Sequence, residues 1–245
     1  MPTIFLSHIH EERELAAKIK GAIEAEFGGL VDVFVSSDDN SNPAGGNFLK
    51  RIEKNLADCA AGVYLISEKS VGRNWINFEL GAVWIRSYIS ERDGGKEIPA
   101  LPFCHSGLTK SNLPIPLSNL TAINANDPKD LESAFRSLQA AVGAKALPLR
   151  CDFAALAAEI VHLERHYTIG EKFISAIRAT GNDPMEIFDA VGVPGLPKPY
   201  FIQFEFLDHA VIQQLRELVR IDPATFIEVR TRGGEMRLFG DGGMR

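Results

Sequence analysis

The chain has 245 residues, 45% of them hydrophobic, and a formal net charge of -6. That length and apolar content suit one large globular domain or two smaller ones, and the acidic balance removes any bulk electrostatic case for nucleic acid or an anionic membrane as partner. No run approaches the roughly 20 apolar residues of a membrane-spanning helix, and the opening MPTIFLSHIHEERELAAKIK lacks the basic and long apolar regions of a secretory leader, so a cytoplasmic location is expected.

From Thr3 to about Gly143, short β-like runs alternate with helical stretches, the pattern of a parallel sheet with crossover helices. TIFLS is the first strand. The following ERELAAKIKGAIEAEF places Leu15, Ile19, Ala22, Ile23 and Phe27 on one helical face. VDVFVS alternates and predicts strand two. A turn-rich segment, SSDDNSNPAGG, then leads into a helix, NFLKRIEKNLADC, with Leu49, Ile52 and Leu56 expected inward. AGVYLIS is almost continuously apolar, as a strand buried on both faces should be. After it NWINFELGAVW opens a helix expected from about Trp75 to Tyr88. EIPALPFC and LTAINAN predict strands four and five, although prolines weaken the fourth. DPKDLESAFRSLQAAVG predicts a helix entered at Asp-Pro and closed at glycine.

Beyond AKALPLR the character changes. DFAALAAEIVHLERHY and IGEKFISAIRATG read as two helices, with Asp152 as N-cap of the first. VPGLPKP is a stiff connector. A strand YFIQFEF, a helix DHAVIQQLRELVR and a hairpin TFIEVRTRGGEMRLFG turning at Gly233 and Gly234 complete a second, α+β region. The expected organisation is therefore residues 1–145 and residues 146–245.

Ligands of doubly wound sheets bind outside the carboxyl ends of the strands. Three segments should converge there: Ser7 and His8, the Ser36–Gly46 loop, and the stretch containing Glu79. At helical spacing the neighbours of Glu79 are Trp75, Ile76, Ala82 and Val83, all apolar. A carboxylate so placed either accepts hydrogen bonds from nearby backbone amides, as a buried polar group must, or is partly desolvated, with a raised pKa and chemical use.

The order, spacing and strand context of IFLSHIHEE, VFVSSDDNSNPAGG and VYLISEKSVGRNWINFELGAVW resemble a bacterial Toll/interleukin-1 receptor (TIR) domain over residues 1 to about 145. Trp75 to Glu79 matches the WxxxE arrangement around the catalytic glutamate of TIR enzymes. The resemblance implies a flavodoxin-like, doubly wound, five-stranded parallel sheet, followed here by a smaller α+β domain. It also implies an NAD+ glycohydrolase that releases nicotinamide and ADP-ribose or a cyclic variant. Catalysis falls on Glu79, and substrate contacts on Ser7, His8, Asp38 and Trp75, with NAD+ as substrate and neither metal nor other cofactor. One carboxylate suits this chemistry: nicotinamide is already a cationic leaving group, and the sugar passes through an oxocarbenium-like state.

Asp38, Asp39, Pro43 and Gly45 occupy what resembles the family's BB loop. The two aspartates there would repel a pyrophosphate, leaving Lys69 or Arg73 as alternative sources of positive charge. Family analogy further implies homo-oligomerisation through TIR domains, activation by a nucleotide or partner protein acting on the C-terminal domain, and a role in antiviral defence. A non-catalytic TIR signalling adaptor is the alternative. No GxGxxG follows strand one. HLERH places His162 and His166 on a helix without the HExxH order or an evident third ligand, and Cys59, Cys104 and Cys151 fit neither a disulfide framework nor a CxxC metal site.

Overall fold

A computed structural model describes residues 1–36, 48–144, 148–179, 181, 183, 200–205, 210, 213, 216, 226–232 and 235–240. The chain divides into two compact units, Met1–Glu164 and Arg165–Arg245.

In the first unit β1 (Thr3–Ser7), β2 (Asp32–Val35), β3 (Ala61–Ile66), β4 (Ala100–Cys104) and β5 (Ile123–Asn124) form one sheet in the order β2-β1-β3-β4-β5. Every pairing in it is parallel. This is the flavodoxin-like order, with its switch point between β1 and β3. Alternation along the strands divides the core. Ile4, Leu6, Val63, Leu65 and Phe103 face α1 (Arg13–Phe27), α4 (Pro128–Ala141) and the start of α5 (Phe153–Ala179). Phe5, Tyr64, Ile66 and Cys104 face α2 (Phe48–Asp58) and α3 (Asn74–Arg92). Both layers are shut off from water, each full burial of a large aliphatic side chain contributing about 1.5–3 kcal/mol.

The helix ends follow their sequence signals. Gly28 closes α1 in the left-handed conformation at φ 53°. The Asp127 carboxylate accepts the amides of Lys129 and Asp130 at 2.8 and 3.0 Å, with Pro128 in the first turn of α4. Asp152 caps α5 by accepting the Ala155 amide at 2.9 Å.

Four expectations change. Strand five shrinks to two residues, and Pro102 explains why. The amide of His105 donates to Ile66 in β3, so by alternation position 102 faces β5, where proline has no N–H to extend the ladder. Leu49 is 46% exposed, because it lies in the first turn of α2, whereas Ile52 and Leu56 reach the core. The two helices expected after Asp152 are one, Phe153–Ala179; an interior glycine such as Gly170 costs a helix only about 1 kcal/mol and does not stop it. Finally, residues 148–164, grouped by sequence with the second region, fall in the first unit. Leu156, Ala157 and Ile160 complete its core, Phe153 meets Phe135 edge-on at 5.2 Å, and Glu26 of α1 accepts the amides of Arg150 and Cys151 at 3.0 and 2.7 Å.

In the second unit β6 (Tyr200–Glu205), β7 (Phe226–Arg232) and β8 (Glu235–Gly240) form an antiparallel sheet in the order β6-β8-β7. Arg232 pairs with Glu235 across the Gly233-Gly234 position of the expected hairpin. The expected helix from Asp208 is described only at Ala210, Gln213 and Arg216, all helical, and VPGLPKP lies outside the described residues.

Candidate active site

The carboxyl end of β1 and the second turn of α3 meet beside the switch point. Glu79 points inward from α3 and is fully buried. Ser7, the last residue of β1, donates its hydroxyl to Glu79 Oε2 at 2.5 Å. Oε1 has no hydrogen-bond partner among the described residues. Burial pushes this carboxyl up to about 7, and the Ser7 hydroxyl and the Trp75 indole only partly hold it down. The environment of Glu79 is therefore the desolvated one, without the full complement of amide donors that would make a buried carboxylate merely structural.

Tyr64 fixes the helix behind it. Its ring lies wholly inside the layer between sheet and α3, and its hydroxyl donates to the Glu79 main-chain carbonyl at 3.1 Å. Tyr64 is the register partner of Ser7 across β1 and β3, so adjacent strands hold the backbone and the side chain of the same residue. The phenol folds back over Gly62, where a Cβ would stand 2.6 Å from the Tyr64 hydroxyl. Glycine is needed there to leave room for the ring.

The other expected residues are placed less uniformly. His8 is buried, with Nδ1 donating to the Ile9 carbonyl at 2.6 Å. Trp75 is 45% exposed and stacks on Phe78 with ring centroids 5.6 Å apart. Lys69 and Arg73 are exposed on the segment leading into α3. Asp38, with Asp39, Pro43 and Gly45, lies outside the described residues.

A second buried carboxylate, unforeseen in the sequence, sits on the opposite face of the sheet. Glu12, just before α1, is 2% exposed. It accepts the Ser67 hydroxyl at 2.6 Å and the Ile9 amide at 3.1 Å, and His105 Nε2 lies 3.2 Å from it. Burial alone would raise its pKa, but His105, Ser67 and the Ile9 amide together hold it below the ordinary value. The available sequence signal was a glutamate three residues past Ile9, the spacing at which a side chain reaches back to a helix-entry amide. His105 Nδ1 meets the Ser106 hydroxyl at 2.9 Å, and the Ser106 amide donates to Glu164 at 3.0 Å.

Among the described residues no three His, Cys, Asp or Glu side chains gather as metal ligands, and no helix is long and apolar enough to cross a membrane. A family model described as TIR domain matches residues 4–139, more than half of the chain. This chain belongs to the TIR domain family. The TIR match begins in β1 and ends within α4, so it takes in the whole parallel sheet together with Ser7, Tyr64 and Glu79. TIR domains include NAD+ hydrolases and non-catalytic interaction modules. No curated protein matches the chain.

Proposed function

We propose that this TIR protein is an NAD+ glycohydrolase of the bacterial type, cleaving the bond between nicotinamide and ribose, with Glu79 as the catalytic carboxylate. The observation that carries the reading is the state of Glu79: fully buried, met only by the Ser7 hydroxyl and the Trp75 indole, one oxygen without a partner among the described residues, at the carboxyl edge of a doubly wound sheet. A structural carboxylate needs its hydrogen bonds satisfied; one poised for developing positive charge does not.

In the reaction the C1′–N bond breaks and its electron pair neutralises the pyridinium ring, so nicotinamide leaves without a general acid. The oxocarbenium-like ribose that remains is stabilised by the ionised Glu79 beside it. Water then adds at C1′ and gives up a proton through Glu79, yielding ADP-ribose; capture by an adenine nitrogen instead gives the cyclic product. The positive charge of bound NAD+ favours the ionised carboxylate. Ser7 orients Oε2, Tyr64 holds the backbone of α3, and Trp75 flanks the carboxylate one turn earlier. His8 and Asp38 are assigned to substrate contacts on the family pattern.

The same reading includes TIR-mediated homo-oligomerisation, activation through the region after the TIR domain by a nucleotide or partner protein, and a cytoplasmic role as an effector of antiviral defence. Its test is nicotinamide release from NAD+ by the full chain, with and without candidate nucleotide activators, beside Glu79→Ala. Turnover retained by the variant sinks the assignment. The signalling-adaptor alternative draws support from the exposed apolar face of α3; it requires an assembled protein that leaves NAD+ intact and partner capture unaffected by Glu79→Ala.

A further inference from the structure

Glu79 is shut off from water, yet a carboxylate that stabilises charge developing on a ribose has to touch it. Something over it must move. Ser7 is ill suited, being fully buried at the end of β1. So is the helix backbone, because Tyr64, itself wholly enclosed, holds the Glu79 carbonyl at 3.1 Å. Trp75 is different. It stands in the first turn of α3, 45% exposed, and Arg73 at the N-cap position makes no side-chain hydrogen bond to fix that turn.

The lean of helical side chains explains what surrounds the indole. Long side chains tilt back over the third and fourth residues before them, so Phe78 and Glu79 both reach toward Trp75 from the following turn. The rings of Trp75 and Phe78 stack with 5.6 Å between centroids and 30° between planes. On its other side the indole is the second donor to the Glu79 carboxyl, after the Ser7 hydroxyl. Trp75 thus lies between a fully buried carboxyl and a phenyl ring that is 58% exposed. By the same lean, an indole released from both would tilt toward Gly72, where a Cβ would meet no atom within 4 Å.

We propose that Trp75 and Phe78 form a door over Glu79, closed with the indole against the carboxyl and Phe78 as its stop, and opened by rotation of Trp75 toward Gly72. The closed door supplies the carboxyl with a donor that the positive charge of the substrate must replace, so entry of the cation and departure of the indole are one exchange. A stack on the protein surface holds modestly, and the open form is a minor state, on the order of 0.1–10% of molecules. The use of the door in NAD+ cleavage rests on the function proposed above. The door itself does not, because its test reads the access of a reagent to Glu79.

The test is carbodiimide coupling of glycinamide to the carboxyls of the full chain in mildly acidic buffer, read residue by residue by peptide mass spectrometry, with buried Glu12 as the control. Phe78→Ala should raise the labelling rate of Glu79 about two- to tenfold, the factor that an aromatic pair contributes. Phe78→Tyr, which keeps the stack, should label as wild type does. Gly72→Leu fills the open position of the indole and should slow the labelling. Glu12 and the unfolding temperature should stay as they are in all three, while nicotinamide release should rise in Phe78→Ala and fall in Gly72→Leu. A Glu79 rate unmoved by Phe78→Ala means that another part of the chain covers the carboxyl, and overturns the proposal. So does a parallel gain at Glu12, which marks a general loosening, or a Gly72→Leu rate equal to that of wild type. Labelling that follows the door in a protein that leaves NAD+ intact upholds the door and removes the NAD+ reading.

Discussion

Glu79 and Glu12 are two glutamates with nearly the same burial and opposite situations. Both lie at the carboxyl edge of the sheet, Glu79 on the α2/α3 side and Glu12 on the α1/α5 side, and neither reaches solvent to any extent. Glu12 is met by Ser67, the Ile9 amide and His105, and its pKa falls; Glu79 is met by the Ser7 hydroxyl and the Trp75 indole, has an oxygen without a partner among the described residues, and its pKa rises to about 7. Burial is common to both, so the donors around each carboxylate decide its character. A satisfied carboxylate ties elements together, while an under-satisfied one is held ready for a positive charge.

The largest break in that contrast should come from deleting each carboxylate. Glu79→Ala should lower nicotinamide release by about a thousandfold with little loss of fold, as followed by circular dichroism. Glu12→Ala should do the reverse, destabilising the protein by about 3–5 kcal/mol in urea titration, because it leaves His105 and Ser67 buried against a missing partner.

Titration should separate the pair next. For Glu79 the folded-state pKa, about 7, exceeds its ordinary value of 4.5, so the folded state holds its proton more tightly. Stability should fall by about 1.4 kcal/mol per pH unit as pH rises from 4.5 to 7, and level off above. Glu79→Gln should flatten that slope in urea titrations across the range. Glu12, lowered in the folded state, stabilises above the ordinary carboxyl range and loses its contribution as pH falls through its own folded value. Hydrolysis should rise with pH through about 7 in kcat/KM profiles, following ionisation of free-enzyme Glu79.

Smaller effects should sharpen the picture. Gly62→Ala forces Tyr64 off the Glu79 carbonyl and should cost about 1–3 kcal/mol, with a matching loss of turnover; Tyr64→Phe, which keeps the ring and loses only the hydrogen bond, should cost about 1 kcal/mol. Ser7→Ala removes the donor to Oε2 and should move the pH midpoint of activity upward, visible as a rightward displacement of the same profile.

Much of this was readable from the chain. Alternation marked the strands, the Asp127-Pro128 and Asp152 caps marked where α4 and α5 begin, and one carboxylate among apolar helical neighbours singled out Glu79. Local pattern carries that information because a residue's face is set by its place in a helix or strand. It does not say which face meets what. Trp75, an apolar neighbour of Glu79, is nearly half exposed, and the apolar ring around α3 reads identically whether the outer side is buried or open. The Tyr64 bond to Glu79 spans 15 positions and depends on room left by Gly62, the Glu12 to Ser67 bond spans 55, and neither has a periodic signature. Residues 153–164 carry the periodicity of any amphipathic helix, which is silent on which core they join.

Pro102 bears on more than the length of β5. An open sheet ends in unpaired amides and carbonyls that invite a strand from another molecule. Here the border beyond β4 offers two paired residues, Ile123 and Asn124, too short a template for a stranger's strand. A proline that forgoes one hydrogen bond thus leaves this side of the sheet a poor template for fibre-like stacking.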